Sequence, residues 1–197
     1  NNAGTFTDFT TESWGDKFGS NDVMYNNIAD FFQTSTIYDN NISVSGGNER
    51  GTFFLSAGRF DQKGIVPETG FDKTTFRFNG EQKRGKLTVG ANVAYSVANT
   101  QKTLTSSGLW DAGGNGAMQS VYTWARSEDM SKYLKEDGTK YRMFEGLQPL
   151  ANDLENPYWI INKNNLKDKT NRLTASVYFN AEVTKWFDIS YKYGIDT

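Results

Sequence analysis

The side chains that most readily suggest chemistry in this sequence are three closely spaced pairs of carboxylates in its second half. They are Glu128 and Asp129, Glu136 and Asp137, and Asp153 and Glu155. A glycosidase needs two carboxyl groups held about 5 to 10 Å apart, and nothing in the sequence fixes the separation of these groups. They also lack the spacing of an EF-hand. We therefore predict solvated loop residues that form neither a catalytic site nor a metal site.

Other forms of active-site chemistry are limited by composition, because the chain contains no cysteine and no histidine. Disulfides, thiolate metal sites, nucleophiles activated by an imidazole base and the commonest zinc ligands are thereby excluded. The glycine-rich stretch GGNGAM, Gly113–Met118, lacks the Lys-Ser/Thr pair of a P-loop and follows no short buried strand, so we interpret it as a loop. The sequence predicts no enzymatic activity and no cofactor.

Three tryptophans between residues 99 and 170 are the candidate ligand-binding side chains. Trp110, Trp124 and Trp159 could stack on sugar rings, because an apolar ring face suits the C–H face of a pyranose. The alternative is that these rings hold the loop together or contact a protein partner. The formal net charge is only −2 and the basic residues are scattered, so we expect no nucleic-acid partner.

The elements that position these loops are predicted by a two-residue period. In GKLTVGANVAYSVANT, Gly85–Thr100, apolar residues occupy the odd positions from Leu87 to Val97, and polar or small residues occupy the even ones. A strand with this alternation has one apolar and one polar face. The same alternation recurs in Thr36–Ser45, Thr52–Asp61, Thr75–Gln82, Asn171–Val183 and Asp188–Asp196. We predict six long strands.

The predicted connections are unequal in length. GGNER, KRGK and TKWF are short hairpin turns, whereas the links at Gln62–Phe71 and from Asn99 to about Thr170 are long. All short turns then lie at one end of a meander and both long links at the other, as in outer-membrane barrels. Within the longer of these links we predict a helix over Ala117–Arg126 and a tight hairpin at Lys135–Tyr141, and before the first strand we predict a helical turn in NNIADFF.

The apolar strand faces have two possible environments. No segment approaches the roughly 18 consecutive apolar residues of a membrane-spanning helix, and a barrel strand with one lipid face is only half apolar, so a low overall hydrophobic content does not exclude a barrel. Strands of about 9 to 13 residues are long for a globular sheet and suit a bilayer. The alternation alone leaves open a soluble or surface-attached β-sandwich that binds glycans through its loop aromatics.

A resemblance to a known family bears on that choice. The run from Tyr38 to Ser96, in particular FLSAG followed by FDQKGI, resembles the barrel of the SusC/RagA family of TonB-dependent outer-membrane transporters, as do ESWG at Glu12–Gly15 and DFFQT at Asp30–Thr34. The resemblance implies an all-β segment of a barrel of about 22 strands. It comprises an extracellular loop at 1–33, four strands at 34–98, a long extracellular loop at 99–170 and two strands at 171–197.

The same resemblance implies a function, a location and partners. Members of the family import nutrients, typically oligosaccharides and sometimes peptides, across the outer membrane beneath a SusD-like surface lipoprotein that acts as a lid. We find no signal peptide, plug domain or TonB box in these residues, so we expect a barrel fragment whose coupling to the TonB complex requires a missing N-terminal region. Outer-membrane lipid is the remaining expected partner.

Overall fold

The computed structural model describes residues 17–105, 116–141 and 155–197. Its helices are α1 (Asn27–Phe31), α2 (Ala117–Thr123) and α3 (Pro157–Lys163). Its strands are β1 (Thr36–Asn48), β2 (Gly51–Lys63), β3 (Gly70–Arg84), β4 (Leu87–Thr103), β5 (Asn165–Thr184) and β6 (Phe187–Asp196). In the described part of the chain, no helix is long and apolar enough to cross a membrane.

The six strands form one antiparallel meander in the order β1-β2-β3-β4-β5-β6. The predicted all-β fold with six long strands is therefore confirmed. Two residues link β1 to β2, β3 to β4, and β5 to β6, whereas β4 and β5 are joined by residues 104–164. The sheet thus has a short-turn end and a loop end. Gly85 adopts a φ of +62° in the β3–β4 turn, a left-handed conformation that glycine adopts without steric cost.

Several strands extend beyond their apolar alternation. β3 begins at Gly70 and pairs with β4 up to Gln101, and β5 begins at Asn165. These extensions are mostly polar, so the two-residue hydrophobic period does not reveal them. Pairing with a neighbouring strand satisfies their backbone groups and explains why they stay in the sheet.

The strand register collects the apolar residues on one face. Leu55 pairs with Phe78, Phe78 with Val93, and Val177 with Tyr193. Between β4 and β5, the backbone N–H of Glu182 donates to the carbonyl of Lys86 at 2.9 Å. Since directly paired residues point to the same side, the odd-numbered positions of β2, β4, β5 and β6 and the even-numbered positions of β1 and β3 share one face, here called the apolar face. The other is the polar face.

The chain divides into two compact units. The sheet unit comprises residues 34–65, 69–102 and 166–197, and the loop unit comprises residues 1–33, 66–68 and 103–165. The buried hydrophobic side chains of the described residues all belong to the loop unit: Phe31, Ala117, Val121, Trp124, Met130, Ile160 and Ile161. The loop unit therefore has a hydrophobic core of its own.

Local sequence explains the helices of the loop unit. The side chain of Asn156 accepts hydrogen bonds from the backbone N–H groups of Tyr158 and Trp159, and Pro157 occupies the first turn of α3. An asparagine cap followed by proline is a strong helix start. The predicted helix over Ala117–Arg126 is present but ends at Thr123, and the predicted turn of helix before β1 is α1. The predicted hairpin contains a bridge between Leu134 and Lys140, with Gly138 at a φ of +78°.

Candidate functional site

The apolar face of the sheet unit is an extended surface of exposed apolar side chains. Val89, Val93, Val177 and Phe179 are 46%, 37%, 54% and 39% exposed. No second layer of the described residues covers these side chains. A β-sandwich would bury the same positions beneath another sheet, so the described residues lack the second layer that the sandwich alternative requires.

The height of the apolar face matches a bilayer. Leu87 and Val97 bound the apolar row of β4 and are ten residues apart, which corresponds to about 34 Å at about 3.4 Å per residue. With the strand tilt of about 45° found in barrels, the row spans roughly 24 Å along the membrane normal. The apolar belt of a transmembrane barrel is about 25 Å tall. Leu173 and Val183 on β5 have the same separation.

Aromatic side chains lie near the ends of the apolar face, and aromatic rings are enriched at the headgroup level in membrane proteins. At the short-turn end, Trp186 is 85% exposed and its ring lies 6.0 Å from that of Phe187. Towards the loop end, Phe76 pairs with Tyr95. Both are more than a third exposed.

The polar face carries hydrogen bonds between strands. The hydroxyl of Tyr178 donates to Glu81 Oε2 at 2.5 Å, and the amide of Asn92 donates to Ser176 Oγ at 3.4 Å. The ring of Tyr178 covers Gly90, where a Cβ would collide with several ring atoms. Gly90 thus leaves space for the ring of a tyrosine of the same sheet.

An ionic cluster marks the loop end of the apolar face. The guanidinium of Arg59 donates to both carboxylate oxygens of Asp61, at 2.8 and 2.5 Å, and lies 3.1 Å from Asp72. The amide of Asn99 donates to Asp72 at 2.9 Å. Because a bidentate arginine–carboxylate pair neutralises its charges in a fixed geometry, these acids are already paired.

The three candidate tryptophans are in different situations. Trp124 is only 6% exposed and belongs to the core of the loop unit, so its ring packs against the protein. Trp159 is half-buried on α3, with Lys140 Nζ 5.8 Å and Lys163 Nζ 5.4 Å from its ring centroid. Trp110 lies outside the described residues. The described structure therefore does not bring the three rings together.

The predicted carboxylates of the loop unit organise turns. Asp129 accepts hydrogen bonds from the backbone N–H and hydroxyl of Ser131, and Asp137 accepts the same pair from Thr139. The side-chain bond from Thr139 is the main reason that the pKa of Asp137 lies below its ordinary value. Glu155 forms an ion pair with Lys140, and Asp153 lies outside the described residues. Among the described residues no acidic cluster could hold a metal ion.

Two buried asparagines that the sequence analysis did not single out hold the loop unit together. The amide of Asn27 donates to the carbonyls of Ala125 and Glu128, at 3.2 and 2.9 Å, and its oxygen accepts from Met130 N–H at 3.2 Å. Asn156 donates to the carbonyl of Met130 at 3.0 Å while capping α3. Because these hydrogen-bond partners are distant in sequence, no local motif predicts this role.

A small polar cavity lies beside Asn27 in the loop unit. Its volume is about 220 Å³, and its lining includes Asp30, Asp129 and Tyr158. Ligand pockets usually measure about 300 to 1,000 Å³, so this cavity is too small for an oligosaccharide. Burial is the main cause that raises the pKa of Tyr158, and the negative charges of Asp30 and Asp129 raise it further.

Comparison with known proteins identifies sequence relatives of the chain. No family model matches the chain. TonB-dependent receptor P3 of Formosa agariphila is 23% identical over 171 residues, which are 85% of this chain and 16% of the receptor. TonB-dependent receptor P26 of the same organism is 34% identical over 73 residues, or 36% of this chain and 7% of the receptor. The chain therefore spans less than a fifth of the curated relatives that it matches.

A solved structure agrees with the sequence relatives. The structure of the RagAB peptide importer in its closed-closed state contains a chain that superimposes with a TM-score of 0.62 at 21% identity, covering 88% of this chain and 19% of that chain. At this identity the likeness concerns the fold. Sequence and fold together confirm the predicted resemblance: the chain is similar in sequence to parts of two TonB-dependent receptors, and its fold superimposes on part of a chain of the RagAB peptide importer.

Proposed function

We propose that the chain is part of the barrel wall of an outer-membrane importer that takes up nutrients with energy from the TonB complex. The observation that carries this proposal is the exposed apolar face, which is about as tall as a bilayer core and runs across all six strands. In a membrane this face contacts lipid, while the polar face lines the lumen beside a plug domain. The wall itself performs no covalent chemistry.

The energetic argument concerns exposed hydrocarbon. Monomeric soluble proteins rarely expose apolar patches larger than a few hundred Å², and the side chains of at least fifteen positions on this face are more than a third exposed. They are Tyr38, Ile42, Val44, Phe53, Leu55, Phe76, Phe78, Val89, Val93, Tyr95, Val177, Phe179, Ile189, Tyr193 and Ile195. Lipid removes this cost, because acyl chains are as apolar as the side chains.

The proposed protein partner at the loop end is a SusD-like lipoprotein lid. Support comes from apolar side chains that the loop unit leaves exposed, among them Val23 at 65%, Ile28 at 44% and Tyr122 at 64%. A folded loop unit with its own core provides a stable platform for such a contact, and the exposed side chains supply apolar area for it.

The proposed substrate class is oligosaccharides. Half-buried Trp159, with polar and cationic neighbours, is the described aromatic ring best suited to stack on a sugar. Peptides are the second candidate, because the solved structure with the similar fold is that of a peptide importer. Transport of labelled oligosaccharides and peptides by cells that express the full-length protein separates the two substrate classes.

The membrane orientation can be tested with single cysteines, because this chain contains none. In the full-length protein, freed of any other cysteine and reconstituted in vesicles, Val177→Cys and Asn180→Cys place a fluorescent label on opposite faces of β5. We expect lipid-borne nitroxides to quench the label at position 177 and an aqueous quencher to reach the label at position 180. Equal aqueous quenching at both positions, together with release of the protein by carbonate washing, would contradict the proposal.

A further inference from the structure

Three lysines form a basic strip at the loop end of the sheet, beyond the apolar side chains. Lys63 on β2 and Lys167 and Lys169 on β5 are exposed and line one cavity of about 580 Å³ within the sheet unit. Their odd-numbered positions place them on the same face as Leu55 and Val177. We call these three residues the basic ledge.

The strand register gives the height of the basic ledge above the apolar face. Lys169 lies four residues before Leu173, and Lys167 lies six residues before it. At about 3.4 Å per residue and a tilt of about 45°, their Cα atoms lie roughly 10 and 14 Å beyond the last apolar row. Lysine side chains extend along apolar surfaces towards polar surroundings, so their ammonium groups can reach the layer in which lipid headgroups lie.

The neighbouring acidic groups leave the basic ledge with an excess of positive charge. Asp61 and Asp72 on the same face are both held by Arg59. Asp168, on the polar face, pairs with Lys102 at 3.0 Å. In the described part of the chain, Lys63, Lys167 and Lys169 form no ion pair. Four cations and two carboxylates on this face give a local charge of +2.

We propose that the basic ledge binds the phosphate groups of lipid headgroups in the leaflet at the loop end. The occupant follows from the combination of surfaces: the apolar face for acyl chains is followed at the loop end by the paired Arg59, Asp61 and Asp72 and by the cationic strip, and together they complement an amphiphile with an anionic head. Clusters of lysine or arginine beside a membrane-spanning surface bind anionic headgroups, at about 1 kcal/mol per residue. This inference rests on the proposed function, since it requires the apolar face to be in a bilayer.

The experiment uses the full-length protein in detergent, stripped of lipid and titrated with lipid A that carries its two phosphates or has been dephosphorylated. The binding variant is K63Q/K167Q/K169Q. The matched control, K83Q/K86Q/K185Q, removes the same charge at the short-turn end. Thermal stabilisation as a function of lipid concentration gives the apparent affinity, and heat-modifiable gel migration reports whether each protein is a folded barrel.

We expect wild type and the control to prefer the phosphorylated lipid, and the binding variant to lose at least tenfold in apparent affinity, because each lysine contributes roughly fivefold. A variant with arginine at all three positions retains the charge and should retain the preference. If K63Q/K167Q/K169Q does not fold, the arginine variant and the comparison of lipids on wild type still decide the matter.

Equal stabilisation of wild type by both lipids would overturn the proposal, as would equal losses in the binding variant and the control, or reproduction of the effect by inorganic phosphate alone. A wild-type protein that shows heat-modifiable migration without lipid preference refutes the basic ledge only. A wild-type protein without heat-modifiable migration that carbonate extracts from membranes refutes the proposed function.

Discussion

The sheet unit and the loop unit differ in the exposure of their apolar side chains. In the loop unit, Phe31, Val121 and Ile161 are at most 1% exposed and pack on one another. In the sheet unit, comparable side chains such as Val177 and Leu55 are about half exposed. The loop unit is therefore stabilised by its own hydrophobic core, whereas the sheet unit depends on an apolar environment. Both units contain apolar side chains of the same types. The two units differ in what covers these side chains.

The largest expected effect is a loss of stability in a variant of the sheet unit. Val177→Arg places a charge near the middle of the apolar face, where arginine in a transmembrane barrel costs about 2 to 4 kcal/mol. Asn180→Arg, on the polar face of the same strand, is the matched control and should cost much less. Equilibrium unfolding of the full-length protein in vesicles measures both. Similar losses for the two variants would show that the faces do not differ in environment.

The second effect is a loss of stability in a variant of the loop unit. Asn27→Ala removes the three hydrogen bonds of a buried side chain and leaves the carbonyls of Ala125 and Glu128 without that donor, at a cost of about 2 to 3 kcal/mol. Asn26→Ala is the matched control, because the neighbouring Asn26 side chain makes no capping bond. We expect faster proteolysis of the loop unit in Asn27→Ala alone, with membrane retention unchanged. Loss of membrane retention would contradict the independence of the two units.

A smaller effect tests packing on the polar face. Gly90→Ala forces the Tyr178 ring aside and weakens its bond to Glu81, and overpacking of this size costs about 1 to 2 kcal/mol. Gly194→Ala is the control, since its nearest contacts would be an ordinary 3.4 and 3.5 Å. Unfolding of the full-length protein compares them. The double variant Gly90→Ala/Tyr178→Ala should show less than the sum of the two single effects, and strict additivity would argue against this contact.

The smallest effect concerns alkaline pH and the loop unit. The pKa of Tyr158 is raised above 10.0, the ordinary value, so the folded unit favours the neutral phenol. The stability due to this shift is complete below pH 10 and declines as pH rises through the higher, folded pKa. Tyr158→Phe should retain more of its stability between these two pKa values than wild type does. Proteolysis across this pH range, with exposed Tyr122→Phe as control, measures the difference, and identical pH profiles for all three proteins would argue against it.

The alternation of residues predicted the central part of every strand, because one apolar and one polar face follow directly from a period of two. It could not predict the polar extensions of β3 and β5, such as Lys167–Lys169, which belong to the sheet through pairing alone. The start of α3 is marked locally by Asn156–Pro157, a capping residue followed by proline. The distinction between buried Trp124 and half-buried Trp159 depends on which loop segments meet, and no local pattern encodes that.

The two-residue links at the short-turn end also restrict how this segment can change. A single inserted residue within β4 would exchange its two rows of side chains, moving Asn92 and Ser96 to the apolar face and Val93 to the polar one. A link of two residues is too short to compensate for a one-residue shift in strand register. Length changes in these strands should therefore be tolerated in multiples of two, whereas the longer segments that join β2 to β3 and β4 to β5 can absorb a change of a single residue.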